Sequence, residues 1–355
     1  MKPKLNPDVL APAPSAHGAG VAAGQVLAAL PHGAWVAVIR LRSLGDIILT
    51  TPALAALRRW RPDLRLVYLA EPRWTAALAG NPDIAQIIAV PSGGAGRLAA
   101  LRALRRLRPR LAVNLHGGST AAWLTWGSGA QWRAGFVGHR HGWAVNLRMP
   151  PQPPPPGRRR WHTAEHVAGL FRFLGLPPGD LGPACVVPAA AARPAVAARL
   201  AAAGVAGPYA FINAFPREAA MRWRSADYAA LLPWLRTRWG LEAVLAHPAA
   251  PDGETAAPLL AAGARLLAPT TVAELIAVIA GAEVVIGSDG GPLHIAAALG
   301  KPIVALFGPT DREAWAPWQA RHRLLMAPAT EVPYLEVQQS VNDLLAVQTI
   351  APDSS

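Results

Sequence analysis

The most constraining stretch of the chain is residues 282–310, AEVVIGSDGGPLHIAAALGKPIVALFGPT. Residues 284–286 are apolar and β-branched, as in a strand buried on both faces of a parallel sheet. Gly287 and Ser288 end that strand, and Gly290 and Gly291 carry no Cβ to hold a ligand off the backbone. Pro292 suits a first helical turn, where a missing N–H costs nothing. Gly300 and Pro302 stop the helix, and residues 303–307 form the next strand. This strand–loop–helix–strand order belongs to an α/β domain. The free N–H groups at residues 290–293 would face the carboxyl end of a strand, an anion site suited to a diphosphate. Glycines that serve packing alone are the alternative reading.

The chain has 355 residues, enough for two domains with separate cores, and 52% hydrophobic residues mark it as globular. Arginines number 31 against three lysines (Lys2, Lys4 and Lys301), which points to genome composition. The net charge of +13 then has three readings: compositional drift, attraction for phosphorylated substrates, or contact with an anionic membrane face. No helix-turn-helix, RNA-recognition or zinc pattern is present, so no nucleic-acid partner is expected. A single cysteine, Cys185, excludes an internal disulfide and a cysteine-cluster metal site. No uncharged apolar run is long enough for a membrane span. Residues 1–32, rich in Ala, Pro and Gly, read as a disordered extension and not a signal peptide, which predicts a cytoplasmic protein.

The first half opens as strand 35–41, turn 42–46, helix 47–60 with Pro52 in its early part, and strand 64–70, a βαβ unit. Gly45 alone does not make a dinucleotide fingerprint. A helix at 97–110 presents an arginine face, and strand 111–115 runs into His116-Gly117-Gly118-Ser119. Trp123, Trp126, Trp132 and Trp143 read as core by default, although exposed indoles stack on sugar faces. The proline run 150–156 and the triplet Arg158-Arg159-Arg160 read as a stiff exposed loop, idle in solvent or meeting acceptor phosphates or lipid headgroups. His162 and His166 are spaced i, i+4 in a helix at 161–174, but no third ligand completes a metal set, so no metal or other cofactor is expected. Strands at 208–213 and 241–246 and helices at 194–203, 225–239, 271–280 and 337–347 complete the second half.

Residues 289–310, with the order D-x-G-P-x-H-x-A-A-A-L-G-x-P and then F-G-P-T, resemble the C-terminal motif of the ADP-heptose:lipopolysaccharide heptosyltransferase family, glycosyltransferase family 9. Arg42-Ser43-Leu44-Gly45-Asp46-Ile47, followed by Thr50 and Pro52-Ala53-Leu54, resembles that family's opening. The resemblance covers about residues 35–347. It implies the GT-B architecture, two Rossmann-like domains facing across a cleft, with an acceptor domain at 33–185 and a nucleotide-sugar domain at 186–335. Residues 336–355 would form a helix and tail packing back on the N-terminal domain.

It also implies inverting, metal-independent transfer of a sugar, ADP-heptose being the expected donor, to a lipid-linked or polysaccharide acceptor at the inner membrane face. Asp46 would be the general base; an N-cap for the following helix is the alternative. Ser43, Gly45, His116 and Ser119 would stand on the acceptor side, although 116–119 could equally be a turn satisfied by its own backbone. Asp289, Gly290, Gly291 and Thr310 would face the donor, and Glu254 the ribose, with Asp252 as its competitor. His294 is as readily structural as functional.

The chain departs from the family at residues 213–224. Members read N-P-G-x-x-x-x-x-K-x-W-P, whereas Met221 stands here at the lysine position and Ala214-Phe215 at the Pro-Gly. Arg222 or Arg217 would then supply the phosphate-binding charge. Two further readings follow: the same fold with another nucleotide sugar and an exopolysaccharide acceptor, or a non-catalytic nucleotide-sugar-binding protein.

Overall fold

The computed structural model describes residues 21–216, 218–249, 251, 253–326 and 331–346, without the side chains of Ala219, Glu254 and Thr255. Residues 1–20, Arg217, Asp252 and the tail beyond Ala346 lie outside the described residues, as does the Glu254 side chain.

Two parallel sheets organise the described chain. The first contains β1 (Trp35–Ile39), β2 (Arg65–Ala70), β3 (Gln86–Ala89), β4 (Leu111–Asn114), β5 (Trp132–Phe136) and β6 (Leu147–Met149), in the order 3-2-1-4-5-6. The second contains β7 (Tyr209–Asn213), β8 (Glu242–Ala246), β9 (Arg265–Leu267), β10 (Val284–Ser288), β11 (Ile303–Phe307) and β12 (His322–Met326), in the order 12-11-10-7-8-9. The second order is the first one repeated. Each sheet reverses its winding beside its first strand. Val36 pairs with Leu66 on one side and Leu111 on the other, and Val284 of β10 pairs with Ala210 of β7. Ligands of such sheets sit outside the carboxyl ends of the strands at the reversal. That places the two crevices after β1 and β4, and after β7 and β10. β10 and β11 are buried throughout, as their unbroken apolar runs require.

The helix expected at 47–60 is two helices, Leu44–Ile48 and Thr51–Trp60. Pro52 has no N–H to offer the carbonyl of Ile48. The Thr51 hydroxyl donates to that carbonyl instead, at 2.7 Å, and accepts the Cys185 N–H at 2.9 Å. The first helix also begins earlier than expected, so Asp46 lies in a helical first turn, not in a loop, and Ser43 takes the cap position.

Three other expectations are corrected. The last part of the N-terminal extension is ordered: Val26–Ala29 is helical, Val26 and Leu27 are fully buried in the first core, and Leu27 N–H donates to the Leu174 carbonyl at 3.0 Å. The final helix, Tyr334–Ala346, packs on β11, β12 and helix Ser225–Trp239 of the second half, not on the N-terminal domain. Its apolar face, Val337, Val341, Leu344 and Leu345, fills the second half's own core. The Arg158–Arg160 triplet is not idle. Arg158 pairs with Glu165 at 2.8 Å, the Glu313 carboxylate accepts the N–H groups of Arg159 and Arg160 at 2.7 and 2.9 Å, and Arg160 pairs with Asp311 at 3.0 Å. The segment therefore clasps the first half to the loop after β11.

Candidate active site

After β1 the chain carries Arg40 into the first crevice. Its guanidinium forms an ion pair with Asp46 and donates to the carbonyl of Leu115, just past β4. One side chain thus bridges the sheet's reversal point and fixes the carboxylate. Ser43 Oγ donates to Asp46 Oδ2 at 3.2 Å, and Thr50 Oγ1 to the Asp46 carbonyl at 2.8 Å. The Asp46 side chain keeps 15% of its exposure, enough for a hydroxyl to reach it. Sequence reading missed Arg40; the signal available was a cation at the very end of a buried strand.

Asn114 is buried, and its Oδ1 accepts the N–H groups of His116 and Gly117, both at 3.0 Å. It shapes the turn that presents His116. Burial, then Arg40 and Arg42, push the His116 imidazole down to about 4, so the ring is neutral at pH 7 and can give or accept one hydrogen bond. His116 and Ser119 line a cavity of about 470 Å³ with Arg42, Glu71, Arg73 and Arg97. His162 and His166 do not converge: His162 caps helix Thr163–Phe173 and His166 stacks on Phe136, ring centres 4.4 Å apart.

In the second crevice, Asp289 follows β10 and its N–H donates to the Leu306 carbonyl at 3.2 Å. Burial pushes its carboxyl up to about 6, against hydrogen bonds from Thr310 and the Gly290 N–H. Helix Gly291–Ala298 starts beside it with Pro292 in its first turn. Thr310 Oγ1 also faces Met221 Sδ at 3.8 Å, so the position of the family lysine adjoins Thr310 and is apolar here. Trp223 next to the half-buried Arg222 is pure core: it is fully buried and donates to the Val332 carbonyl at 2.9 Å.

The raised Asp289 carboxyl predicts a pH-dependent cost. Free aspartate titrates near 3.8 and this group near 6, so the folded chain holds the extra proton between those values. Stability therefore falls as pH rises through that window, by on the order of 3 kcal/mol. Asp289→Asn is expected to raise the melting temperature above pH 6 and to leave it nearly unchanged below 3.8. Thermal melts across that range check it; an equal change at both ends would mean that ionisation is not the cause.

The two crevices meet through helices Leu44–Ile48 and Gly291–Ala298, which pack directly on each other. A Cβ on Gly45 would stand 2.5 Å from Cδ2 of His294, and one on Gly291 would stand 2.8 Å from Cδ2 of Leu44. The missing Cβ atoms of Gly45 and Gly291 thus let the two halves approach each other at this contact. His294 is 3% exposed, and burial pushes its pKa down to about 4, so a neutral ring fills the contact with Gly45.

Two doubly wound halves with facing crevices, one holding a tethered carboxylate and the other a helix start, define the GT-B architecture of nucleotide-sugar enzymes. The family model for glycosyltransferase family 9 (heptosyltransferase) matches residues 97–344, and the chain belongs to that family. It is 27% identical over 292 residues to lipopolysaccharide heptosyltransferase 3 of Escherichia coli K12, covering 78% of this chain and 83% of that one. Among solved structures it is similar to a family 9 glycosyl transferase of Veillonella parvula, with TM-score 0.77, 20% identity, and 90% and 99% of the two chains covered. It is also similar to E. coli ADP-heptose lps heptosyltransferase II, with TM-score 0.74, 21% identity, and 88% and 99% covered. The protein is a glycosyltransferase. Among the described residues, no helix is long and apolar enough to cross a membrane.

Proposed function

We propose that this glycosyltransferase moves heptose from ADP-heptose to a lipopolysaccharide core or a related surface glycan, with inversion and without a metal, at the cytoplasmic membrane face. The observation that supports the reading is the glycine-to-side-chain contact of helix Leu44–Ile48, which bears Asp46, with helix Gly291–Ala298. The names of the two E. coli relatives supply heptose and lipopolysaccharide.

In this reading an acceptor hydroxyl, placed by His116, Ser119 and Ser43, loses its proton to Asp46 as its oxygen attacks the anomeric carbon. The bond to the diphosphate breaks on the opposite face. N–H groups from Gly290 onward, Thr310 and Arg222 or Arg217 take up the developing negative charge, Asp289 holds a sugar hydroxyl, and Glu254 holds the ribose. A cationic helix terminus and an arginine make a divalent ion dispensable. Transfer from ADP-heptose to a lipopolysaccharide-derived acceptor is therefore expected to persist in EDTA. An assay with and without the chelator checks this; loss that Mg²⁺ or Mn²⁺ restores would contradict it. Met221 against Thr310 favours a second reading, binding of a nucleotide sugar without turnover, which the same assay excludes if sugar is transferred.

A further inference from the structure

The chain's positive charge is not spread evenly. Between Asp83 and Glu165 there are 12 arginines and no aspartate, glutamate or lysine, while the rest of the chain holds 22 basic and all 21 acidic residues. Nearly the whole net charge of +13 therefore belongs to one segment of the first half. Genome composition explains arginine in place of lysine; it does not explain why 12 arginines stand together with no carboxylate among them.

The structure gives this segment a surface. Helix Gly94–Arg106 ends in the exposed Arg102, Arg105 and Arg106, and among the described residues none of the three forms an ion pair. Its Leu101, next to Arg102, packs against Gly127, which follows Trp126 at the end of helix Ser119–Gly127. Trp126 is 57% exposed and Trp143 is 56% exposed, and their rings meet edge to face with centres 6.2 Å apart. Beside Trp143, the exposed Arg148 folds over Gly142 and donates to its carbonyl at 2.9 Å. The default expectation that these indoles are core holds for Trp132 and fails for Trp126 and Trp143.

We propose that this face is a docking surface for an anionic lipid bilayer, with Trp126 and Trp143 entering the headgroup layer and the surrounding arginines held by lipid phosphates. Indole rings favour the polar–apolar boundary of a bilayer, because an apolar body and one N–H donor fit there together. Exposed arginines around them add attraction from the negative surface potential, roughly fivefold in affinity per residue near the surface. A solvated charged face needs no exposed aromatic pair. The inference deepens the acceptor reading above, since it puts the enzyme where a lipid-linked acceptor lies. It is read out by lipid binding without turnover, so either can fail alone.

The test is co-sedimentation of the full chain with vesicles of phosphatidylcholine alone or mixed with phosphatidylglycerol. Wild type is expected to pellet with the anionic vesicles and to be released by salt. Trp126→Ser with Trp143→Ser should weaken binding roughly tenfold, and Arg105→Glu with Arg106→Glu should abolish it. Asp46→Asn should bind like wild type, and unchanged thermal melts would show that the surface variants are folded. Wild type remaining in solution with anionic vesicles would overturn the proposal, as would equal binding by all variants. Displacement from vesicles by a duplex oligonucleotide at a lower phosphate concentration would assign the face to nucleic acid and overturn it as well.

Discussion

Asp46→Asn is expected to lower turnover by roughly a hundredfold or more while leaving the fold and ADP affinity close to wild type. Asparagine keeps the shape of the side chain, and its oxygen can still accept from Ser43 and Arg40. Arg40 retains the Leu115 carbonyl as a second partner, so the guanidinium is not stranded. The loss in stability should be about 1 kcal/mol. What asparagine cannot do is take a proton from an acceptor hydroxyl. Turnover measured beside calorimetric titration of ADP separates the two effects, and wild-type turnover in the variant would remove Asp46 from the mechanism.

Gly45→Ala is expected to be nearly as damaging by a different route. The added methyl would meet His294 at 2.5 Å, well inside contact distance, and the ring it meets is buried. Forcing atoms into a packed contact costs about 1–3 kcal/mol. The functional loss should be larger, because a displacement near 1 Å between base and donor can cost about a hundredfold in rate. ADP affinity should change little, since the proposed function puts the nucleotide on the second half. A cycle with His294→Ala identifies the cause. Removing the ring makes room, so Gly45→Ala should destabilise much less in that background, with a coupling of about 1–3 kcal/mol. Additive effects in the cycle would mean that the methyl acts elsewhere.

The two motif stretches were legible because each carries its punctuation locally: apolar β-branched runs for strands, Gly and Pro for their ends. The order of β10, helix Gly291–Ala298 and β11 came directly from that. The split at Pro52 was half legible. Proline announces a helix start, but that a threonine hydroxyl would satisfy the broken turn depends on Cys185, distant in sequence. Arg40 could not be assigned because its partners, Asp46 and Leu115, are brought together only by the pairing of β1 with β4. The glycines were ambiguous for a similar reason. Absence of a side chain signals close approach without saying what approaches, and at Gly45 and Gly291 it is the other half of the chain. Short strands such as β6 and β9 left too little pattern to read.

Leu44 and Ile48, which flank Asp46, belong to one apolar cluster with Leu293, Ile295 and Phe307 of the second half, and Ala77 of the first half joins them. In terms of unfolding, the boundary between folding units does not follow the boundary between sheets. The helix that bears the carboxylate contributes to both cores, Ile47 to that of the first half and Leu44 and Ile48 to this one. Melting the donor half strips the cover from this helix, and excising either half exposes apolar surface on both. A two-sheet enzyme built in this way has one stability to share between its halves, not two to tune separately.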